Sequence, residues 1–152
     1  MQIECRENLM EYLSCFFIIG GVAYFLKQTR TQTSYGRYVS SGRIQGGTCP
    51  AQLAWFLQEL PSFLVPVCLL LTTNTQPGLG KDMLVWTFCL HYFHRSFIYS
   101  LLTRGRPLPC NMVFYAVVFC SINGFLQGHY MLHCATYGDQ WRTDIRLLTG
   151  EI

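Results

Sequence analysis

The residues best suited to chemistry in this 152-residue chain sit inside apolar stretches. Gln58 and Glu59 fall in Trp55-Phe56-Leu57-Gln58-Glu59-Leu60-Pro61, where Trp55 precedes Glu59 by one helical turn and shares its face. An ionisable group at membrane depth costs at least about 2.5 kcal/mol on insertion scales, so it normally faces a bundle interior and carries function. A carboxyl beside an aromatic ring, on a helix that Pro61 and Pro66 should kink, reads as a ligand pocket; the competing reading is a glutamate solvated at a helix end. A second group comprises His91, Tyr92, His94 and Arg95. Tyr92, Ser96 and Tyr99 recur at i, i+4 and i+7 and predict one polar stripe, hydrogen-bonded either to a ligand or to a neighbouring helix. Arg95 is also a candidate ion-pair partner for Glu59. A third group holds Asn123 and Gln127, four apart, with His129 and His133 in an HxxxH spacing. Two imidazoles on one face invite a metal, but neither histidine pair has an acidic companion on its own helix, so interior histidines are expected and no metal site is assigned. No GxxxxGK[ST], GxGxxG or GxSxG pattern occurs, which removes phosphate-loop, Rossmann and nucleophile-elbow chemistry.

These groups need elements that hold them in a bilayer. With 51% hydrophobic, 15% aromatic and only 12% charged residues, the chain has too few charges to build a water-soluble surface. Stretches long enough to cross a hydrocarbon core about 30 Å thick occur at 9–26, 51–72, 83–102 and 112–132. The expected fold is therefore an all-α integral membrane protein with about four transmembrane helices. Glu4, Glu7 and Glu11 stand where a leader would carry basic residues, so the first apolar run is read as a retained helix. The connections between spans are rich in Ser, Thr, Gly and Pro, and none has the look of a domain linker.

Lys27, Arg30, Arg37, Arg43, Arg104 and Arg106 load the first and third connections, against Arg6, Lys81, Arg142 and Arg146 on the other side. The bias predicts a lumenal N-terminus. The small net charge of +3 is dispersed, which argues against nucleic acid as a partner. Eight cysteines without a CxxC pair, about half of them in apolar stretches, are read as mostly free thiols.

Three blocks carry a family resemblance: Ala54-Trp55-Phe56-Leu57-Gln58-Glu59-Leu60-Pro61-Ser62-Phe63, Leu90-His91-Tyr92-Phe93-His94-Arg95 and Arg104-Gly105-Arg106-Pro107. They strongly resemble steroid 5α-reductases, and 124–130 with Thr143-Asp144-Ile145-Arg146 extends the match. The short Met1-Gln2 start points to the type 2 isozyme. The resemblance implies a helical enzyme of the endoplasmic reticulum membrane, a bundle of about seven helices of which this chain matches the N-terminal part. It implies NADPH as cofactor and a 3-oxo-4-ene steroid such as testosterone as substrate, with reduction of the 4,5 double bond. It further implies that Glu59 and Tyr92 hydrogen-bond the 3-keto oxygen, that Trp55 and Phe119 line the steroid slot, and that Tyr35, Arg104 and Arg106 lie on the cofactor side. Tyr115 stands where the type 2 pattern has an arginine near the ligand. Family members continue into further apolar spans, so little turnover is expected from these 152 residues alone. The alternative from another class is a non-catalytic membrane protein that binds a sterol or the full-length enzyme. Nothing in the sequence identifies an oligomeric partner.

Overall fold

The computed structural model describes residues 5–31, 47–73 and 78–137. Helix α1 spans Glu7–Gln28, with Glu7 in its first turn and Lys27 in its last, the charge placement that a helix dipole favours. A two-residue strand β1, Thr48–Cys49, leads into α2, Ala51–Thr72. Helix α3, Leu79–Phe93, runs directly into a π-helical segment, His94–Tyr99, and a final short turn α4, Ser100–Leu102. Strand β2, Leu108–Pro109, precedes α5, Cys110–His129, which ends in a second π turn, Tyr130–Cys134.

Among the described residues, three helices are long and apolar enough to cross a membrane: Glu7–Gln28, Ala51–Thr72 and Cys110–Cys134. They contain the expected spans 9–26, 51–72 and 112–132. The fourth expected span, 83–102, is helical throughout but interrupted. The π segment begins at His94, where His91, His94 and Arg95 also make the stretch its most polar. The molecule is thus an all-α membrane protein whose outer faces are apolar: Phe16, Ile19, Phe25, Leu71, Trp86, Leu101 and Phe114 all point outward.

The helices α2 and α5 run parallel in close contact, since Ala54 packs in one cluster with Val113 and Ser62 donates to the Cys120 carbonyl at 3.1 Å. The glycines of α5 permit this approach. A Cβ added at Gly124 would stand 3.1 Å from the Pro61 carbonyl oxygen and 3.1 Å from the Ser62 Cα. One at Gly128 would stand 3.2 Å from Pro66 Cα. In lipid, where burying apolar surface gains little, close backbone contact through small residues is what drives helices together. Helix α2 continues through both prolines. Because proline lacks an N–H, the carbonyls of Leu57 and Ser62 lose their helical donors.

The two strands pair antiparallel, Thr48 with Pro109 and Cys49 with Leu108, and the Cys110 N–H donates to the Gly47 carbonyl at 3.0 Å. This tie joins the connection entering α2 to the one entering α5. At the opposite end, Cys5 and Cys134 form a disulfide, and the Arg6 N–H donates to His129 Nε2 at 3.4 Å. The other six cysteines are free. Reading the eight as mostly free thiols therefore holds with one correction: connectivity is invisible in spacing, and only the antiparallel course of α1 and α5 brings these two ends together.

Two outcomes test this architecture. Gly124→Val should destabilise the fold by about 1–3 kcal/mol, because the added atoms meet backbone rather than a movable side chain. The measurement is detergent-driven unfolding in mixed micelles; Gly20→Val, whose Cβ meets nothing within 4 Å, should leave the midpoint unchanged. Only Met10 of α1 is buried, so Cys5→Ser should cost about 2–5 kcal/mol by releasing the covalent tie of that helix. Equal midpoints with and without reductant would refute that role.

Candidate functional site

A cavity of about 1120 Å³ opens between α1, α2, α3 with its π segment, and α5. Its wall repeats with helical spacing on each element. Helix α1 gives Tyr24, Lys27 and Gln28; α2 gives Trp55, Gln58 and Glu59; His91, Tyr92 and Arg95 come from the third helix. Helix α5 supplies Asn111, Tyr115 and Phe119 at four-residue intervals, with Met112, Ala116 and Cys120 beside them. Of the residues singled out in the sequence, Trp55, Glu59, Tyr92 and Phe119 converge here. Arg104 and Arg106 do not line the cavity: both are exposed in the connection between α4 and β2. Tyr35 lies outside the described residues.

The centre of the wall is ionic. Arg95 Nη2 donates to Glu59 Oε1 at 2.6 Å, with the Glu59 side chain 10% exposed and that of Arg95 34%. The guanidinium also lies over two rings, 5.1 Å from the Trp55 centroid and 5.2 Å from that of Tyr99. Trp55 and Tyr99 themselves meet edge to face at 5.2 Å. A planar cation is well suited to this place because it can bond a carboxylate in its plane while its faces rest on aromatic rings. Of the two structural alternatives for Glu59, solvation at a helix end and pairing with Arg95, the structure adopts the pair.

The π segment explains how one helix serves both the cavity and the core. The π turn widens the helix across His94–Tyr99, within the stretch where an α-helical period predicts a single stripe of Tyr92, Ser96 and Tyr99. Tyr92 faces the cavity and packs on Phe88 at 4.7 Å, Ser96 is fully buried, and Tyr99 turns to Trp55. Among the described residues the Ser96 hydroxyl has no hydrogen-bond partner, so it does not act as the interhelical link that membrane serines often provide.

The histidine pair lies away from this cavity. His129 is 2% exposed, stacks on Phe125 at 5.3 Å and sits 4.7 Å from the His133 ring, while His133 Nε2 is 3.4 Å from the Thr73 hydroxyl. Among the described residues, no three His, Cys, Asp or Glu side chains are grouped so as to hold a metal ion.

Sequence reasoning missed the contribution of α1 and of Asn111, Met112 and Ala116. Their signal was available: Tyr24 and Gln28, like Asn111 and Tyr115, are polar or aromatic residues four apart on otherwise apolar helices. It missed Gly124 and Gly128 too, a GxxxG spacing that marks close helix contact.

Comparison with known proteins matches residues 106–152 to the family model described as 3-oxo-5-alpha-steroid 4-dehydrogenase. The chain is 41% identical to 3-oxo-5-alpha-steroid 4-dehydrogenase 2 of Homo sapiens over 99% of its own length and 59% of the relative's. Its identity to the protein of that name from Rattus norvegicus is 47%, over 77% of this chain and 46% of the relative. With 3-oxo-5-alpha-steroid 4-dehydrogenase 1 of Homo sapiens it shares 38% identity over 95% of this chain and 56% of the relative. The chain thus spans about half the length of these curated relatives, 46–59%. With a cavity built on the motif residues and with matches of this extent, the chain is similar over nearly its whole length to the N-terminal portion of 3-oxo-5-alpha-steroid 4-dehydrogenases.

Proposed function

We propose that the cavity binds a 3-oxo-4-ene steroid and that the chain contributes the steroid-binding part of an NADPH-dependent reductase of the steroid 4,5 double bond. The observation that carries this reading is the convergence of Glu59, Tyr92, Trp55 and Phe119 on one cavity. Its wall sets the apolar and aromatic faces of Trp55, Met112, Tyr115, Ala116 and Phe119 beside a charged and amide-bearing side that includes Glu59 and Arg95, which suits a flat apolar ligand carrying a polar oxygen at one end.

Glu59 and Tyr92 are the catalytic pair in this proposal. Adding hydride at C5 of the steroid drives negative charge onto the 3-keto oxygen, and donors aimed at that oxygen lower the barrier. Tyr92 supplies a hydroxyl. Glu59 supplies a carboxyl whose Oε1 is held by Arg95, and a proton taken up on Oε2 as the steroid binds would make that oxygen a donor to the ketone. Arg95 keeps the carboxyl in place and adds positive charge near the developing enolate. Trp55 and Phe119 hold the ring system, and Tyr115 sets part of the wall that fixes which steroid fits.

NADPH, when bound, supplies the hydride. On this chain the groups that fit it are cationic donors for its phosphates. Arg104 is exposed in a connection packed on the start of α2, where a Cβ at Gly105 would lie 3.5 Å from Ala51 Cβ, and Lys27 stands at the cavity edge. Arginine grips anionic oxygens through paired donors, and Arg104, Arg106 and Tyr35 are assigned to the cofactor on that basis and on family resemblance. The same positive connections support a topology with the cofactor side in the cytosol and the N-terminus on the opposite face, the lumenal one if the membrane is that of the endoplasmic reticulum, as the family resemblance implies.

The test is binding of testosterone to the chain in nanodiscs, read by tryptophan fluorescence. Glu59→Gln and Tyr92→Phe should each weaken affinity about tenfold, the value of one hydrogen bond to a charged or buried group. NADPH-dependent formation of the 5α-reduced product, assayed in parallel, should be little or none from these 152 residues alone. Wild-type affinity in both variants would overturn the placement of the ketone at this pair.

A further inference from the structure

We propose that Cys49 and Cys110 form a redox modification site: a paired dithiol at the cavity rim that a small-molecule disulfide of the glutathione type converts to an intramolecular disulfide.

The pair is built by the fold. The two sulfurs lie 3.1 Å apart although the residues are 61 positions distant in sequence. Cys49 closes strand β1 and Cys110 opens α5, so each belongs to one of the two connections that the β1–β2 pairing joins. The Cys110 N–H to Gly47 carbonyl bond fixes the backbone on both sides of the sulfurs. Cys110 is exposed and Cys49 is half-buried, packed with Trp55 on the cluster of Ala51, Ala54, Leu108 and Val113. The residues after Cys110, Asn111 and Met112, are cavity wall. The remaining free cysteines, Cys15, Cys68, Cys89 and Cys120, all lie within helices. The Cys5–Cys134 disulfide sits at the other end of α5, roughly 36 Å away for a helix of that length. One end of the bundle thus carries a bonded pair and the other a pair poised to bond.

The exchange balances without any group outside the named reactants. The exposed Cys110, as thiolate, attacks one sulfur of glutathione disulfide; that S–S bond breaks and one glutathione leaves as thiolate. Cys49 then loses its proton, attacks Cys110 Sγ in the mixed disulfide and expels the second glutathione. The two cysteines give up two electrons and two protons, and one glutathione disulfide becomes two glutathiones. The neighbouring Cys110 pushes the Cys49 thiol pKa up, which suits Cys49 to the second, intramolecular step, where proximity compensates for a low thiolate fraction. The product locks the connection before α2 to that before α5 and fixes the rim beside Asn111. None of this chemistry depends on the steroid reading.

The full chain in detergent micelles would be equilibrated across a series of glutathione to glutathione disulfide ratios, alkylated, digested and mapped by mass spectrometry. A Cys49–Cys110 linked peptide should appear at a ratio at least about tenfold more reducing than in the same chain unfolded in denaturant, because the fold holds the sulfurs together. Persistence of the Cys5–Cys134 linked peptide verifies that the folded sample is intact. Cys49→Ser should trap glutathione on Cys110 as a stable mixed disulfide, and Cys110→Ser should leave Cys49 alkylatable. Linkage at the same ratio in folded and unfolded chain, or full alkylation of both cysteines throughout the series, overturns the proposal.

Discussion

The contact between α2 and α5 is the constraint on which the rest depends. Both helices are apolar nearly throughout, and in lipid neither gains much by burying leucine against leucine. What holds them is approach: Gly124 and Gly128 let the α5 backbone reach the stretch from Pro61 to Leu69, and Ser62 closes a hydrogen bond to Cys120 there. The contact runs from Ala54 beside Val113 at one end to Pro66 beside Gly128 at the other, so it sets the rotation of both helices. Once that rotation is set, Trp55, Gln58 and Glu59 must face the same space as Tyr115, Phe119 and Cys120. The cavity is therefore a consequence of a glycine seam on the adjoining faces.

Onto this pair the third helix brings its charge. An arginine within a membrane helix is tolerable only with partners, and Arg95 has a carboxylate and two aromatic faces. The π segment from His94 to Tyr99 makes that arrangement possible. Widening the turn lets Arg95 reach Glu59 and lets Tyr99 support it, while Ser96 is driven into the core, where its hydroxyl meets no donor or acceptor among the described residues. An orphaned buried hydroxyl costs about 1–3 kcal/mol. Such local irregularity, accepted for the sake of one side chain's position, is a common reason for a π turn to persist.

Much of this was legible in the sequence because its physics is local. The apolar runs named three membrane helices within a few residues of their observed ends, and the one-turn spacing of Trp55 and Glu59 placed both on a common wall. The π turn was not legible: the expected stripe assumed an unbroken 3.6-residue period across 92–99, and nothing in Tyr-Phe-His-Arg-Ser announces the widening. The disulfide and the Cys49–Cys110 pair failed for a different reason. Both join residues far apart in sequence, and pairing of this kind appears only after the helices have been given directions and neighbours. The arginines of the third connection were legible as charge but not as position: exposed residues between α4 and β2 have no periodicity to orient them.

The surroundings of Arg95 also bear on how Glu59 could change partners under the proposed reading. In a simple buried ion pair, drawing the carboxyl toward a ligand strands the cation, and a stranded charge of this kind costs several kcal/mol. Here the cation does not depend on the carboxylate alone, because the Trp55 and Tyr99 rings lie 5.1 and 5.2 Å from it and neither contact runs through Glu59. Each ring contributes on the order of 0.5–2 kcal/mol, more as water is excluded. A ligand that fills the cavity excludes water, so it strengthens the aromatic support at the moment it competes for the carboxyl. Trp55 is then more than a wall: by holding Arg95, it lowers the cost of Glu59 turning to a ketone.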